Sequence, residues 1–185
     1  LHYDGDSWLT FPEIFAGAFY GVFGASNTDV YAVGSGLMTS LVAHYDGSSW
    51  VQDADVSATA LYGIWGSSAD DLWAVGSGAI LHSDGSGWSD GAGDLDVSMT
   101  TLNSVWCAGA DDVFAVGADL FNISPFTAHY DGGGWEPIDV SGVLASGVLY
   151  GVAGDGSGAV YAVGADNETG GGVVLSYDGD GFARE

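Results

Sequence analysis

The residues of this chain best suited to chemistry are its four histidines and its many carboxylates. A neutral imidazole offers a lone pair near pH 7, so His2, His44, His82 and His129 could ligate zinc or serve as general bases. Their positions argue otherwise. Each opens the same short pattern, seen in full as His44-Tyr45-Asp46-Gly47-Ser48-Ser49-Trp50 and again at 2–8, 82–88 and 129–135. Equivalent slots in successive units stand apart in space, so the reading is one structural hydrogen bond made repeatedly. The carboxylates suit a hard cation better. Asp29, Asp71 and Asp112, close to the turn acids Asp46, Asp84 and Asp131, are the candidate ligands for Ca²⁺. The competing role for these acids is the capping of turns, to which aspartate is well suited.

Other catalytic readings find little support. A glycosidase needs two carboxylates at a set separation, one with a raised pKa. With 25 acids in 185 residues some pair is always close, so proximity alone says nothing. No Ser-His-Asp arrangement stands out, and Gly170-Gly171-Gly172 lacks the lysine of a phosphate-binding loop. Cys107 is the only cysteine, which excludes a disulfide within the chain. It stands where other units carry Gly24, Gly66 and Gly154, and so reads as a small buried residue. We expect no enzyme here.

The elements that would position these residues repeat along the chain. Three signatures recur in fixed order. The first is Tyr20-Gly21-Val22-Phe23-Gly24, matched from Tyr62, Asn103 and Tyr150. The second is Asp29-Val30-Tyr31-Ala32-Val33-Gly34, matched at 71–76, 112–117 and 159–164. The third is the histidine pattern, matched once more at 176–182 with Ser176 in the histidine slot. Each segment is short, rich in β-branched and aromatic residues, and bounded by Gly, Asp and Ser, which predicts a strand. Asp-Gly predicts a hairpin, because both residues tolerate the positive φ that a tight turn demands. The fold class is therefore all-β: a β-propeller of four complete four-stranded blades and a partial N-terminal blade, expected to be part of a larger ring. The boundaries are 1–8 for the partial blade, then 9–50, 51–88, 89–135 and 136–185. Stacked blades would bury the repeated aromatics Tyr31, Trp73, Phe114 and Tyr161, then Trp50, Trp88, Trp135 and Phe182.

Spacing separates two faces of such a disc. From the first residue of the first signature to the first of the second the distance is nine in every copy, with Asn103 in place of the tyrosine in the third and Ala159 in place of the acid in the fourth. Tyr45 to Trp50 and its equivalents are always five apart. Gly34 to His44 is ten, Gly76 to His82 six, and Gly117 to His129 twelve. Trp50 to Tyr62 is twelve and Trp88 to Asn103 fifteen. Alternate connections of an up-and-down blade share a face, so one face is constant and the other variable. Binding is usually built where loops vary on a rigid scaffold. The candidate ligand loops are Leu37 and Met38, the segment containing Phe121, Asn122 and Phe126, and Asn167 with Glu168. Phe121 and Phe126 could be exposed anchors, though tucking against the blade edge is the first expectation. Asn122 and Asn167 also head glycosylation sequons.

The three signatures together resemble the repeats of bacterial secreted and surface propellers, kelch-like or Asp-box (sialidase-type) in style, across essentially the whole chain. Asp46-Gly47-Ser48-Ser49-Trp50 is similar to an Asp-box turn shortened by one residue. Such repeats imply a fold and not an activity. Sialidases hold a substrate carboxylate with several arginines, whereas this chain has only Arg184, so that activity is rejected.

The net charge of −24, with no lysine, excludes nucleic acid and anionic membrane as partners. No apolar run is long enough to cross a bilayer as a helix. The start of the sequence suggests a processed chain or a piece of a longer one. Our expectation is a non-enzymatic, extracellular or cell-surface binding module with a protein or glycan ligand. A lectin, or a self-associating subunit of a sheath or filament, is the alternative.

Overall fold

A computed structural model describes residues 2–3, 6–9, 16–37, 39–53, 59–121, 123–156 and 158–185. The described residues contain strands and turns and no helix. β1 (His2–Tyr3) and β2 (Trp8–Leu9) form a two-stranded sheet. Four antiparallel four-stranded sheets follow, each in simple up-and-down order. Blade 1 comprises β3 (Gly17–Ser26), β4 (Asp29–Gly36), β5 (Ser40–Tyr45) and β6 (Trp50–Gln52). Blade 2 comprises β7 (Leu61–Ser68), β8 (Asp71–Gly76), β9 (Ala79–Ser83) and β10 (Trp88–Asp90). Blade 3 comprises β11 (Thr100–Gly109), β12 (Asp112–Asp119), β13 (Pro125–Tyr130) and β14 (Trp135–Pro137). Blade 4 comprises β15 (Gly147–Gly154), β16 (Val160–Asp166), β17 (Gly171–Tyr177) and β18 (Phe182–Arg184). The fourth strand starts at the repeated Trp or Phe, so blades 1 to 3 each run two residues past the boundary drawn at that Trp, while blade 4 ends inside its boundary at 185. The pairing Tyr3↔Trp8 in the two-stranded sheet has the register of Tyr45↔Trp50 and Tyr130↔Trp135.

Neighbouring blades stack through their first strands, β3 on β7, β7 on β11 and β11 on β15. The core lies between blades. Val33 and Val42 pack with Leu61, Ile64 and Leu81 across blades 1 and 2. Trp73, Val75 and Ile80 pack with Leu102, Val105 and Trp135 across blades 2 and 3. Phe114 and Val116 pack with Leu149, Val152 and Phe182 across blades 3 and 4. A fully buried Leu such as Leu61 or Leu102 contributes about 2 kcal/mol through the water-accessible surface it loses. Trp73 meets Trp135 edge-on at 5.3 Å, and Phe114 meets Tyr177 at 5.0 Å.

This arrangement corrects one expectation. Trp73, Phe114, Trp135 and Phe182 are buried, but Tyr161 is exposed. The aromatic in this slot is covered by the following blade, as Tyr130 and Tyr177 cover Trp73 and Phe114. Tyr161 belongs to blade 4, whose outward face carries exposed Val163 and Val174 beside it.

The glycine ending the second signature has a packing reason. A Cβ at Gly76 would lie 1.9 Å from the Ala60 carbonyl oxygen, and one at Gly117 1.9 Å from that of Thr101. Beside this crossing every first strand bulges, with the register slipping between Phe19 and Gly21, Leu61 and Gly63, Leu102 and Ser104, and Leu149 and Gly151. The extra residue in each bulge is the first residue of the first signature: Tyr20, Tyr62, Asn103 or Tyr150.

Candidate functional site

The constant face is assembled from two turns per blade. Gly47 has φ +90°, and a Cβ there would lie 2.8 Å from Thr28 Cβ in the preceding turn. Gly132 would likewise meet Asp111 at 2.9 Å, so the first and third connections of a blade lean on one another. The hairpin signalled by Asp-Gly is present. Only the glycine takes positive φ, and the connection spans Asp46–Ser49. The aspartate works through its side chain instead: Asp46 Oδ1 accepts from Ser48 N and Ser49 N, both at 2.8 Å, and from Ser48 Oγ at 2.7 Å. These donors, the Ser48 hydroxyl foremost, hold the Asp46 carboxyl down at about 2. Asp84 is lowered in the same way by Ser86, and Asp131 Oδ1 accepts from Gly133 N at 2.9 Å.

The second-signature acids have a different partner. Asp29, Asp71 and Asp112 each place Oδ1 within 2.7–2.8 Å of Nε2 of His44, His82 and His129. Each imidazole also lies over the aromatic of its neighbouring strand, Tyr31, Trp73 or Phe114, at a centroid distance of 4.3 Å. The side chain of His2 lies outside the described residues. The repeated structural hydrogen bond read from the histidine slot is thus present in three blades. In blade 4 both members change together, to Ala159 and Ser176, and the Ser176 hydroxyl donates to Glu185 instead. The six aspartates considered for calcium are therefore divided, three bound to histidines and three to their own turns. Among the described residues no group of three or more His, Cys, Asp or Glu side chains is placed to hold a metal.

Cys107 is buried between blades 2 and 3. Burial, with smaller contributions from the charges of Asp71 and Asp112, pushes its thiol well above the ordinary cysteine range.

The variable face carries the apolar surface. Leu37 is 87% exposed, and Met38 and Asn122 lie outside the described residues. Phe121 is 72% exposed, against the expectation that it would tuck in, whereas Phe126 packs half-buried against the core of blades 2 and 3. The reason is register: Phe126 belongs to β13 and pairs with Gly117, while Phe121 lies in the turn beyond β12. Phe121 N donates to Asp119 Oδ1 at 2.8 Å. Around it stand Leu120 (57% exposed) and Ile123 (53%), which belong to the same candidate segment, and Met99, which the sequence reading did not single out. Leu120 N donates to Met99 O at 2.9 Å, and Gly147 N donates to Ile123 O at 3.0 Å. The turn is thereby tied to the connections on both sides of blade 3. Ile123 has φ +50°, a left-handed conformation that a β-branched residue adopts at a cost. Met99 sits in an inter-blade connection whose length alone was informative in sequence.

The third loop is anchored by charge. Arg184 Nη1 donates to Asp166 Oδ2 at 2.7 Å, and the other oxygen accepts from Glu168 N and Thr169 N. The guanidinium, then these amides, hold the Asp166 carboxyl at about 2. Asn167 and Glu168 are exposed beside it, and Asn167 N donates to Ser146 O. A groove along the outer strands of blade 2 and the connection that follows them is lined by Trp88, Asp90 and Asp96. Its polar groups are engaged locally: the Trp88 indole donates to Asp53, and Asp90 and Asp96 accept from Ala92 N and Ser98 N.

No family model and no curated relative matches the sequence. Among solved structures, an ancestral GH74 enzyme aligns over 91% of this chain and 27% of its own, with a TM-score of 0.66 and 13% identity. YCF48 bound to D1 peptide aligns over 100% of this chain and 57% of its own, with a TM-score of 0.64 and 16% identity. The extracellular domain of a hybrid two-component system of B. thetaiotaomicron aligns over 92% of this chain and 25% of its own, with a TM-score of 0.62 and 7% identity. The chain thus spans between a quarter and somewhat over half of the proteins it resembles. Four stacked up-and-down sheets together with these likenesses show the fold, and the chain is a run of β-propeller blades.

Proposed function

We propose that the chain is a non-enzymatic binding module displayed outside the cell, taking a protein ligand on the variable-loop face of blade 3. The observation that carries this reading is the exposed cluster of Leu120, Phe121, Ile123 and Met99. Large apolar side chains gathered on a surface commonly mark a contact site. The left-handed Ile123 adds a second argument, because strained backbone persists where the surrounding structure enforces it and tends to gather at binding sites. One of the propellers the chain resembles has a peptide bound, which favours a polypeptide ligand over a glycan. The Asp46 turn, whose carboxylate ties down the loop amides, supports kinship with Asp-box repeats.

The test is selection of displayed peptides on the immobilised chain and on Phe121→Ser. Enrichment on the first and its loss on the second is expected. Peptides retained equally by both, or a glycan array that gives the only binding, would refute the reading. Release of product from chromogenic glycosides above the blank would refute its non-enzymatic part.

A further inference from the structure

The bulges of the four first strands bring a residue to the same place four times, a tyrosine in three of them. Tyr20, Tyr62, Asn103 and Tyr150 are the extra residues of β3, β7, β11 and β15, and these strands are neighbours in that order. Close contacts link them into an arc. Tyr20 and Tyr62 have ring centroids 5.5 Å apart. A Cβ on Gly63, next to Tyr62, would lie 3.2 Å from Asn103 O. Asn103 Nδ2 donates to Leu149 O, next to Tyr150, at 2.8 Å. Tyr20 Oη lies 3.3 Å from Ser35 Oγ, near the end of β4, which places the arc toward the variable-loop face.

Core packing does not account for these tyrosines. Tyr20 is 55% and Tyr150 59% exposed and Tyr62 is half-buried, while the residues just before Tyr62, Asn103 and Tyr150 serve the core, Leu61, Leu102 and Leu149 being fully buried; Phe19, before Tyr20, is itself exposed. A bulge re-aims a side chain, and the repeated bulges re-aim one aromatic in three of the four strands.

We propose that this tyrosine arc is a binding site for a cationic side chain, arginine or lysine, of a peptide partner. A cation over an aromatic face is attracted by the ring quadrupole. The charge of −24 concentrates cations at the surface, and the chain's one arginine is already held by Asp166. A sugar would need directed hydrogen bonds beside the rings, and the Asn103 amide already donates to the neighbouring strand. The site is separate from the Phe121 cluster and does not depend on it.

Tetra-arginine, tetra-glutamate and maltotetraose, each titrated calorimetrically into the intact chain, test the proposal. Tetra-arginine alone is expected to bind. The double variant Tyr20→Leu/Tyr150→Leu should weaken it about three- to tenfold, and Tyr20→Phe/Tyr150→Phe should stay within about twofold of the parent. That difference should persist at about 0.5 M salt, where the general field is screened. Both tyrosines are exposed, so unchanged melting curves will show that the variants fold. Equal binding by the leucine variant would mean a diffuse electrostatic effect and overturn the proposal. So would a phenylalanine variant as weak as the leucine one, or binding of maltotetraose. Phe121→Ser should leave tetra-arginine binding unchanged, and its own loss of selected peptides is read in a separate experiment.

Discussion

His129 lies against Phe114 with ring centroids 4.3 Å apart, while its Nε2 stands 2.7 Å from Asp112 Oδ1. The same unit recurs at His82, Trp73 and Asp71, and at His44, Tyr31 and Asp29. It joins the third strand of a blade to the start of the second, at the constant face. Blade 4 lacks the acid and the imidazole together, as expected of a pair in which either member alone is left without its partner.

Asp71 and His82 form the most enclosed of these pairs and give the sharpest test. Asp71→Ala should cost about 1 kcal/mol, and His82→Ser a similar amount. The double variant, which restores the Ala159/Ser176 combination of blade 4, should cost less than the sum by about 0.5 kcal/mol or more. Urea denaturation of the four proteins measures this, and strict additivity would deny the coupling.

Phe121 and Phe126 lie five residues apart in sequence and should respond oppositely. Phe121→Ser should change stability by less than about 0.5 kcal/mol, since the ring is exposed. Phe126→Ala removes packing from the core of blades 2 and 3 and should cost at least about 1 kcal/mol. Thermal melts of the two variants decide.

Gly76→Ala should be among the most damaging of single changes, because its methyl would occupy the position of the Ala60 carbonyl. A loss of about 3 kcal/mol or more is expected. An alanine variant melting with the parent protein would show that the two strands do not cross so closely.

Acid should weaken the constant-face turns within a defined window. The Asp46 carboxyl sits at about 2 in the folded chain against an ordinary 3.8. A lowered folded pKa contributes stability that is present above the unfolded value and lost as pH falls through the folded one. Asp46→Asn carries no such titration, so between about pH 4 and pH 2 its stability should fall less steeply than that of the parent. Denaturant midpoints across that range would show parallel curves if the turn hydrogen bonds were not formed.

Cys107 should resist thiol reagents in the folded protein and react once it is unfolded, because it is buried and its thiolate is disfavoured. Labelling with and without denaturant checks this directly.

Local pattern was enough for the blades themselves. Strand segments, their antiparallel order and the histidine slot follow from alternation, turn residues and a recurring spacing, because one blade is built from contacts within about 40 residues. The turn acids were legible for the same reason, although their side-chain bonding and the single positive φ at Gly47 emerged only from the backbone path. What lies between units was decided by the tertiary structure. Whether an aromatic is covered depends on the next blade, so Trp73 and Tyr161 share a sequence slot and differ in exposure. The Met99, Leu120, Phe121 and Ile123 cluster joins an inter-blade connection to a loop within a blade, and the tyrosine arc draws one residue from each of three blades, with Asn103 completing it. Neither is a pattern along the chain. Both exist because stacking sheets side by side brings residues 40 or more positions apart onto one surface.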